Sequence, residues 1–176
     1  MTIPNLITIA RLVIVPVVIV MILSENWGFA FALFVIAGIS DGLDGFIARR
    51  FNMQSEFGAY IDPLADKALM VSIFVTLAAI KLLPAWFVII VVFRDILIVS
   101  AVILSWVMDK PIEIKPLIIS KLNTAAQISY AAALLGANAF GIDISAVNFA
   151  LMLTVTALTI ASASAYFMGW MRHMDG

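Results

Sequence analysis

Residues 27–50 read WGFAFALFVIAGISDGLDGFIARR. Between Trp27 and Ser40 there is no charged side chain, and then Asp41, Asp44, Arg49 and Arg50 arrive together. An apolar stretch of this kind suits a helix crossing a bilayer, which needs about 20 residues. The acids that follow lie where charge is costly, so they call for a function as well as a fold. We expect a helix over about Trp27–Ile47.

Working outward, apolar runs broken by charge or turn residues predict five more helices. They cover about Leu6–Leu23, Asp62–Leu82, Trp86–Val107, Ile118–Leu135 and Val147–Met171. The breaks are chemically sensible: Ser24-Glu25-Asn26, Arg49-Arg50-Phe51-Asn52, Leu83-Pro84, Asp109-Lys110-Pro111 and Gly141-Ile142-Asp143. The alternation that a membrane barrel requires is absent. Over 176 residues, 64% are hydrophobic and 12% charged, with mean hydropathy +1.14. A soluble domain carries roughly 25% charged residues, so a water-soluble globule is excluded. The expected fold is all-α: one integral membrane domain over residues 1–176, with six transmembrane helices. Pro4, Arg11 inside the apolar run and the lack of a small-residue cleavage site read as a retained first helix, not a signal peptide.

There is no cysteine, which removes disulfides, thiolate catalysis and Cys-ligated metals. A net charge of −1 gives no reason to expect nucleic acid. Arg49, Arg50, Lys67, Lys110, Lys115, Lys121 and Arg172 fall near the loops after the second and fourth helices or at the C-terminus. Lys81 alone lies near an opposite loop, while Arg11 and Arg94 lie within spans. The positive-inside rule then puts both termini and those two loops in the cytoplasm.

Asp41 and Asp44 are three apart, and Asp62 and Asp66 four apart, so each pair shares one helical face. A loop of about a dozen residues joins the two helices, which should pack antiparallel and bring four carboxylates together near the cytoplasmic end. Each acid costs about 2.5–3.5 kcal/mol at a helix centre, and without nearby cations their repulsion adds to that. One or two divalent ions would offset the cost. Oxygen-only ligands favour magnesium, manganese or calcium, which commonly hold substrate phosphates. Taken singly, Asp62 also reads as an N-cap before Pro63, and Asp44 as a partner for Arg49. Gly45 and Ala48 leave room for a bulky group, and Arg49 offers a planar fork suited to phosphate.

Together, Asp41, Asp44-Gly45, Ala48-Arg49, Gly58, Asp62 and Asp66 resemble the signature D-x2-D-G-x2-A-R-x8-G-x3-D-x3-D of the CDP-alcohol phosphotransferase family, matching all eight fixed positions. Members are six-helix membrane enzymes that transfer a substituted phosphate from a CDP-linked lipid to an alcohol and release CMP. The resemblance implies that Asp41, Asp44, Asp62 and Asp66 hold Mg2+ or Mn2+, possibly two ions, with Asp66 also the general base. It implies that the nucleotide is accommodated by Asp41, Asp44, Gly45, Ala48, Arg49 and Gly58, and that a homodimer forms. Asn5, Thr8 and Arg11 form a polar stripe that borders the nucleotide or caps the first turn.

The openings IPNLITIARLVIVP (3–16) and FGAYIDPLADKALM (57–70) are similar to the branch making phosphatidylglycerophosphate and cardiolipin. Arg94-Asp95, PLIISKLNTAAQ (116–127) and ASASAYFMGW (161–170) resemble the CMP-forming, mitochondrial-type cardiolipin synthases. This implies CDP-diacylglycerol as donor, phosphatidylglycerol as acceptor, and a bacterial or mitochondrial inner membrane. An acceptor with its own phosphodiester needs cations, for which Arg94, Lys121 and Lys115 are candidates. Arg94 should need a partner beyond Asp95, since adjacent residues do not share a helical face. His173, past the last span, reads as interfacial. Competing readings are a synthase using glycerol 3-phosphate, a cation-coupled transporter, and a scaffold. The transporter is disfavoured by the absence of an internal repeat and by acids clustered toward one face. A scaffold leaves four buried acids unexplained.

Overall fold

The computed structural model describes residues 3–50, 56–107 and 117–174, with side chains described there except at 3–9, 43–50, 56–66, 102–103, 106–107 and 173–174. Among the described residues there are six helices and no strand: α1 (Ile3–Leu23), α2 (Trp27–Arg50), α3 (Glu56–Ala79), α4 (Ala85–Val107), α5 (Ile118–Phe140) and α6 (Ser145–Met174). Every expected helix is present, and the differences are at the ends. The largest is α3, which starts at Glu56 instead of Asp62 and leaves only residues 51–55 between it and α2. The reading of Asp62 as an N-cap is thereby corrected, because it lies inside the helix. Gly58 does not stop α3, since one glycine in a helix costs only about 1 kcal/mol.

Large apolar side chains face outward on several helices: Ile118 is 77% exposed, Phe140 69%, and Phe29 and Ile89 65%. Polar groups are meanwhile buried, among them Arg11, Arg94, Asn123, Gln127, Thr159 and Ser162. Both features depart from the pattern of a protein surrounded by water, while the core itself remains largely apolar. By length and composition, Ser145–Arg172 is the one stretch among the described residues able to cross a membrane.

The chain divides into two compact units. The first comprises Met1–Leu83 and Ala131–Ile144. In it α1 packs against both α2 and α3. Its core takes residues at helical spacing: Val18 and Ile22 from α1, Ala30, Phe34 and Ala37 from α2, and Leu69, Ile73 and Leu77 from α3. Phe31 meets Phe140 edge to face at 5.7 Å, and a Cβ on Gly136 would come within 3.2 Å of the Phe31 ring. The glycine lets α5 lie close to the Phe31 ring, on a stretch of the helix that runs beyond Leu135, where we expected it to end.

The first unit also holds three tight helix ends. Glu25 (φ 56°), Lys81 (φ 62°) and Gly141 (φ 65°) adopt the left-handed conformation. In each case the next residue's N–H reaches a carbonyl five residues back: Asn26 to Met21 (2.8 Å), Leu82 to Leu77 (2.9 Å) and Ile142 to Ala137 (2.8 Å). These bonds satisfy terminal carbonyls that lipid could not.

The second unit comprises Pro84–Tyr130 and Ser145–Gly176. Here α4 packs along α6. Phe87 lies edge to face with Tyr130 at 5.6 Å, and Tyr130 donates its hydroxyl proton to Asn148 Oδ1 at 2.8 Å. Near the other end of α6, Trp170 Nε1 donates to buried Ser105 Oγ at 3.0 Å.

Candidate active site

In the first unit the described part of the site is an ion pair between a buried arginine and a partly exposed aspartate. Arg11 on α1 is 1% exposed, and its Nη1 donates to Asp41 Oδ1 on α2 at 2.7 Å. A guanidinium at that depth needs counter-charge and acceptors, and Asp41 supplies both. Asp41 keeps 42% of its side chain exposed, so its carboxylate is oriented by Arg11 without being enclosed.

The backbone carries the remaining motif on two unbroken helices. Asp44, Gly45, Ala48 and Arg49 lie in the last turns of α2, and Gly58, Asp62 and Asp66 in the first turns of α3. Asn5 and Thr8 lie in the first turns of α1. The side chains of all these residues, and of His173, lie outside the described residues, and Lys115 does so entirely. Among the described residues there is no group of three or more metal-ligating side chains. The donor chemistry nevertheless fits a hard divalent cation. Its members are carboxylates, and the one whose side chain is described, Asp41, is oriented by a neighbouring side chain, as ligating carboxylates commonly are.

In the second unit Arg94 is 3% exposed on α4. Its Nη1 donates to Asp95 Oδ1 at 2.8 Å, Nη2 to Ser120 Oγ at 2.5 Å and to Ser162 Oγ at 2.7 Å, and Nε to Ser162 Oγ at 3.2 Å. The guanidinium carbon also lies 5.8 Å from the Tyr166 ring centroid. The expectation that Arg94 and Asp95 could not meet is therefore corrected. Adjacent Cβ atoms diverge, but an extended arginine spans the gap and bonds sideways. Lys121 is exposed on α5.

Sequence reading missed the buried amides of α5. Asn123 is 0% and Gln127 2% exposed, and Asn123 Oδ1 accepts the Thr159 hydroxyl at 2.8 Å. The signal was present: Ser120, Asn123, Gln127 and Tyr130 recur at steps of three and four, one face of a helix.

The sequence profile of the CDP-alcohol phosphatidyltransferases matches residues 1–164. A rat protein named cardiolipin synthase (CMP-forming) is 34% identical, over 94% of this chain and 60% of the relative. A probable cardiolipin synthase (CMP-forming) of Drosophila melanogaster is 37% identical, over 78% of this chain and 48% of the relative. A chloroplastic CDP-diacylglycerol–glycerol-3-phosphate 3-phosphatidyltransferase 1 of rice is 35% identical, over 94% of this chain and 56% of the relative. The chain thus spans about half to three-fifths of the length of these curated relatives.

Proposed function

The chain belongs to the CDP-alcohol phosphatidyltransferase family, and from that premise we propose that it is a CMP-forming cardiolipin synthase. It transfers the phosphatidyl group of CDP-diacylglycerol to a hydroxyl of phosphatidylglycerol. The observation that carries the reading is the complete eight-position motif on two uninterrupted helices, with its first carboxylate held by a buried arginine. The outward apolar side chains support an integral membrane protein; in this reading it has six spans in a bacterial or mitochondrial inner membrane, with termini and active site on the cytoplasmic side by the positive-inside rule. Family resemblance adds a homodimer.

In this mechanism Asp66 takes the proton of the acceptor hydroxyl as its oxygen attacks the phosphorus that bears diacylglycerol. The bond from that phosphorus to the bridging oxygen breaks, and CMP leaves with the bridging oxygen. Asp41, Asp44, Asp62 and Asp66 would hold Mg2+ or Mn2+, one ion or two, which when bound neutralises the pyrophosphate and improves the leaving group. Arg11 keeps Asp41 oriented for that role. Gly45, Ala48 and Gly58 leave space for the nucleotide, Arg49 pairs with its phosphates, and Asn5 and Thr8 border it. Arg94, Lys121 and Lys115 receive the acceptor's phosphodiester.

Similarity to the rice enzyme keeps a second reading, with glycerol 3-phosphate as acceptor. Purified protein given radiolabelled CDP-diacylglycerol and Mg2+ or Mn2+, with each acceptor in a separate reaction, decides between them. Label in cardiolipin only with phosphatidylglycerol is the expected result. Label in phosphatidylglycerophosphate would replace the acceptor, and no CMP release with either would overturn the transferase reading and restore the transporter.

A further inference from the structure

The nitrogens Asn123 Nδ2 and Gln127 Nε2 are fully buried and have no hydrogen-bond partner among the described residues. Each such donor bears the cost of leaving water with nothing in return. The two lie one turn apart on the inner face of α5, so the cost falls twice at one place. Lipid tails cannot repay it, which marks the pair as awaiting a ligand oxygen.

The surroundings define that ligand. Asn123 gives its oxygen to Thr159, and Thr159, with Arg94, Ile89, Phe93, Ile160 and Ala163, lines a cavity of about 300 Å3 between α4 and α6. The amide of Asn123 is therefore one hydrogen bond behind the cavity wall. The Thr159 hydroxyl lies at 2.8 Å from both Asn123 Oδ1 and the Val155 carbonyl. By turning its proton to Val155 it releases Asn123 Oδ1 as an acceptor without losing a bond. The region can thus both donate and accept, which is what a hydroxyl needs. Four donor bonds of Arg94 go to Asp95, Ser120 and Ser162. Beside that cation, which is assigned the acceptor's phosphodiester above, the amides offer matched partners to an uncharged hydroxyl.

We propose that Asn123 and Gln127 bind the hydroxyl-bearing glycerol headgroup of the acceptor lipid. This inference rests on the acceptor reading given above and deepens it. It assigns recognition of the alcohol itself to neutral amides of the second unit. The apolar cavity side chains Ile89, Phe93 and Ile160 suit the adjoining hydrocarbon.

The test is lipid binding to the purified full chain in detergent, by native mass spectrometry, with phosphatidylglycerol and phosphatidylmethanol. These lipids share one phosphodiester charge and differ in the hydroxyls. Wild type should hold phosphatidylglycerol about tenfold more tightly, the size that two ordinary hydrogen bonds supply. Gln127→Met and Asn123→Leu should each reduce the ratio to about threefold or less, with CDP-diacylglycerol binding unchanged. Equal binding of the two lipids by wild type overturns the inference without any variant being needed. A ratio unaltered in both variants also overturns it, and assigns the amides to packing or resident water. If the preference and its loss are seen but no CMP is released with phosphatidylglycerol, the headgroup site stands and the transferase reading fails. If cardiolipin forms and the ratio is unaltered in the variants, the transferase reading stands and the amide site fails.

Discussion

Arg11 and Asp41 stand equally far in sequence from Asn26, fifteen residues on either side, and their side chains meet at 2.7 Å. Asn26 closes the turn between α1 and α2, so equal separations give equal depths along two antiparallel helices. At 1.5 Å per residue both lie about 22 Å from that turn. The tight turn therefore fixes which acid the arginine meets.

Breaking the pair from the acid side should be the more damaging. Asp41→Asn removes a negative charge beside a guanidinium that is 1% exposed, whereas Arg11→Met leaves a carboxylate that is already 42% exposed. Loss of one partner of a fully buried pair costs about 3–5 kcal/mol, and partial exposure of Asp41 lowers our expectation to about 2–3 kcal/mol. Thermal unfolding in detergent without divalent metal measures it. A midpoint for Asp41→Asn equal to wild type would show that the pair contributes nothing.

Asp66→Asn should abolish turnover while CDP-diacylglycerol still binds, because the amide keeps the shape but cannot accept the hydroxyl proton. CMP release and donor binding are measured on the same preparation. Normal turnover would remove Asp66 from the role of base.

Arg49→Ala should raise KM for CDP-diacylglycerol more than KM for the acceptor, since its fork is assigned to the nucleotide phosphates. Initial rates with each substrate varied in turn give the comparison. An unchanged donor KM would contradict the assignment.

Arg94→Lys should fail as a conservative change. Lysine keeps the charge for Asp95 but cannot reproduce the fork that engages Ser120 and Ser162 at once. A loss of about 1–3 kcal/mol follows from the unmade bonds. Limited proteolysis of α4 and α6, compared with wild type, reads it directly, and identical cleavage rates would refute the clamp.

Lys81→Gly and Glu25→Gly should each stabilise the protein, because both residues adopt a left-handed conformation that costs a side-chain-bearing residue about 1–2 kcal/mol. Extra backbone freedom in the unfolded chain lowers the net gain to about 0.5–1 kcal/mol. Lys81→Ala is the control: it removes the charge and keeps the strain, so its midpoint should not rise.

The six helices were legible because apolar runs and their interruptions are local signals, and Gly141 announces its own left-handed turn. The start of α3 was not, since Asp62-Pro63 imitates a helix beginning so well that Glu56–Ile61 looks like loop. Asp41 could be named from motif spacing, but its bond to Arg11 needed the depth of two helices to be compared. Contact between Arg94 and Asp95 was hidden for a different reason. Face periodicity follows Cβ directions, and a long side chain bends away from its own. The α5 amides showed the right spacing, yet no pattern of residues reveals which donors are left without acceptors.

Apolar side chains that slide past one another in a bilayer lose little, since lipid is as good a neighbour as another leucine. Bonds such as Asn123–Thr159 and Tyr130–Asn148 behave differently. A shift of α5 by one turn against α6 would break both together and leave their polar ends in hydrocarbon. The polar seam of the second unit thus works as a vernier, setting the longitudinal register of two helices that greasy contact alone would leave free to slip.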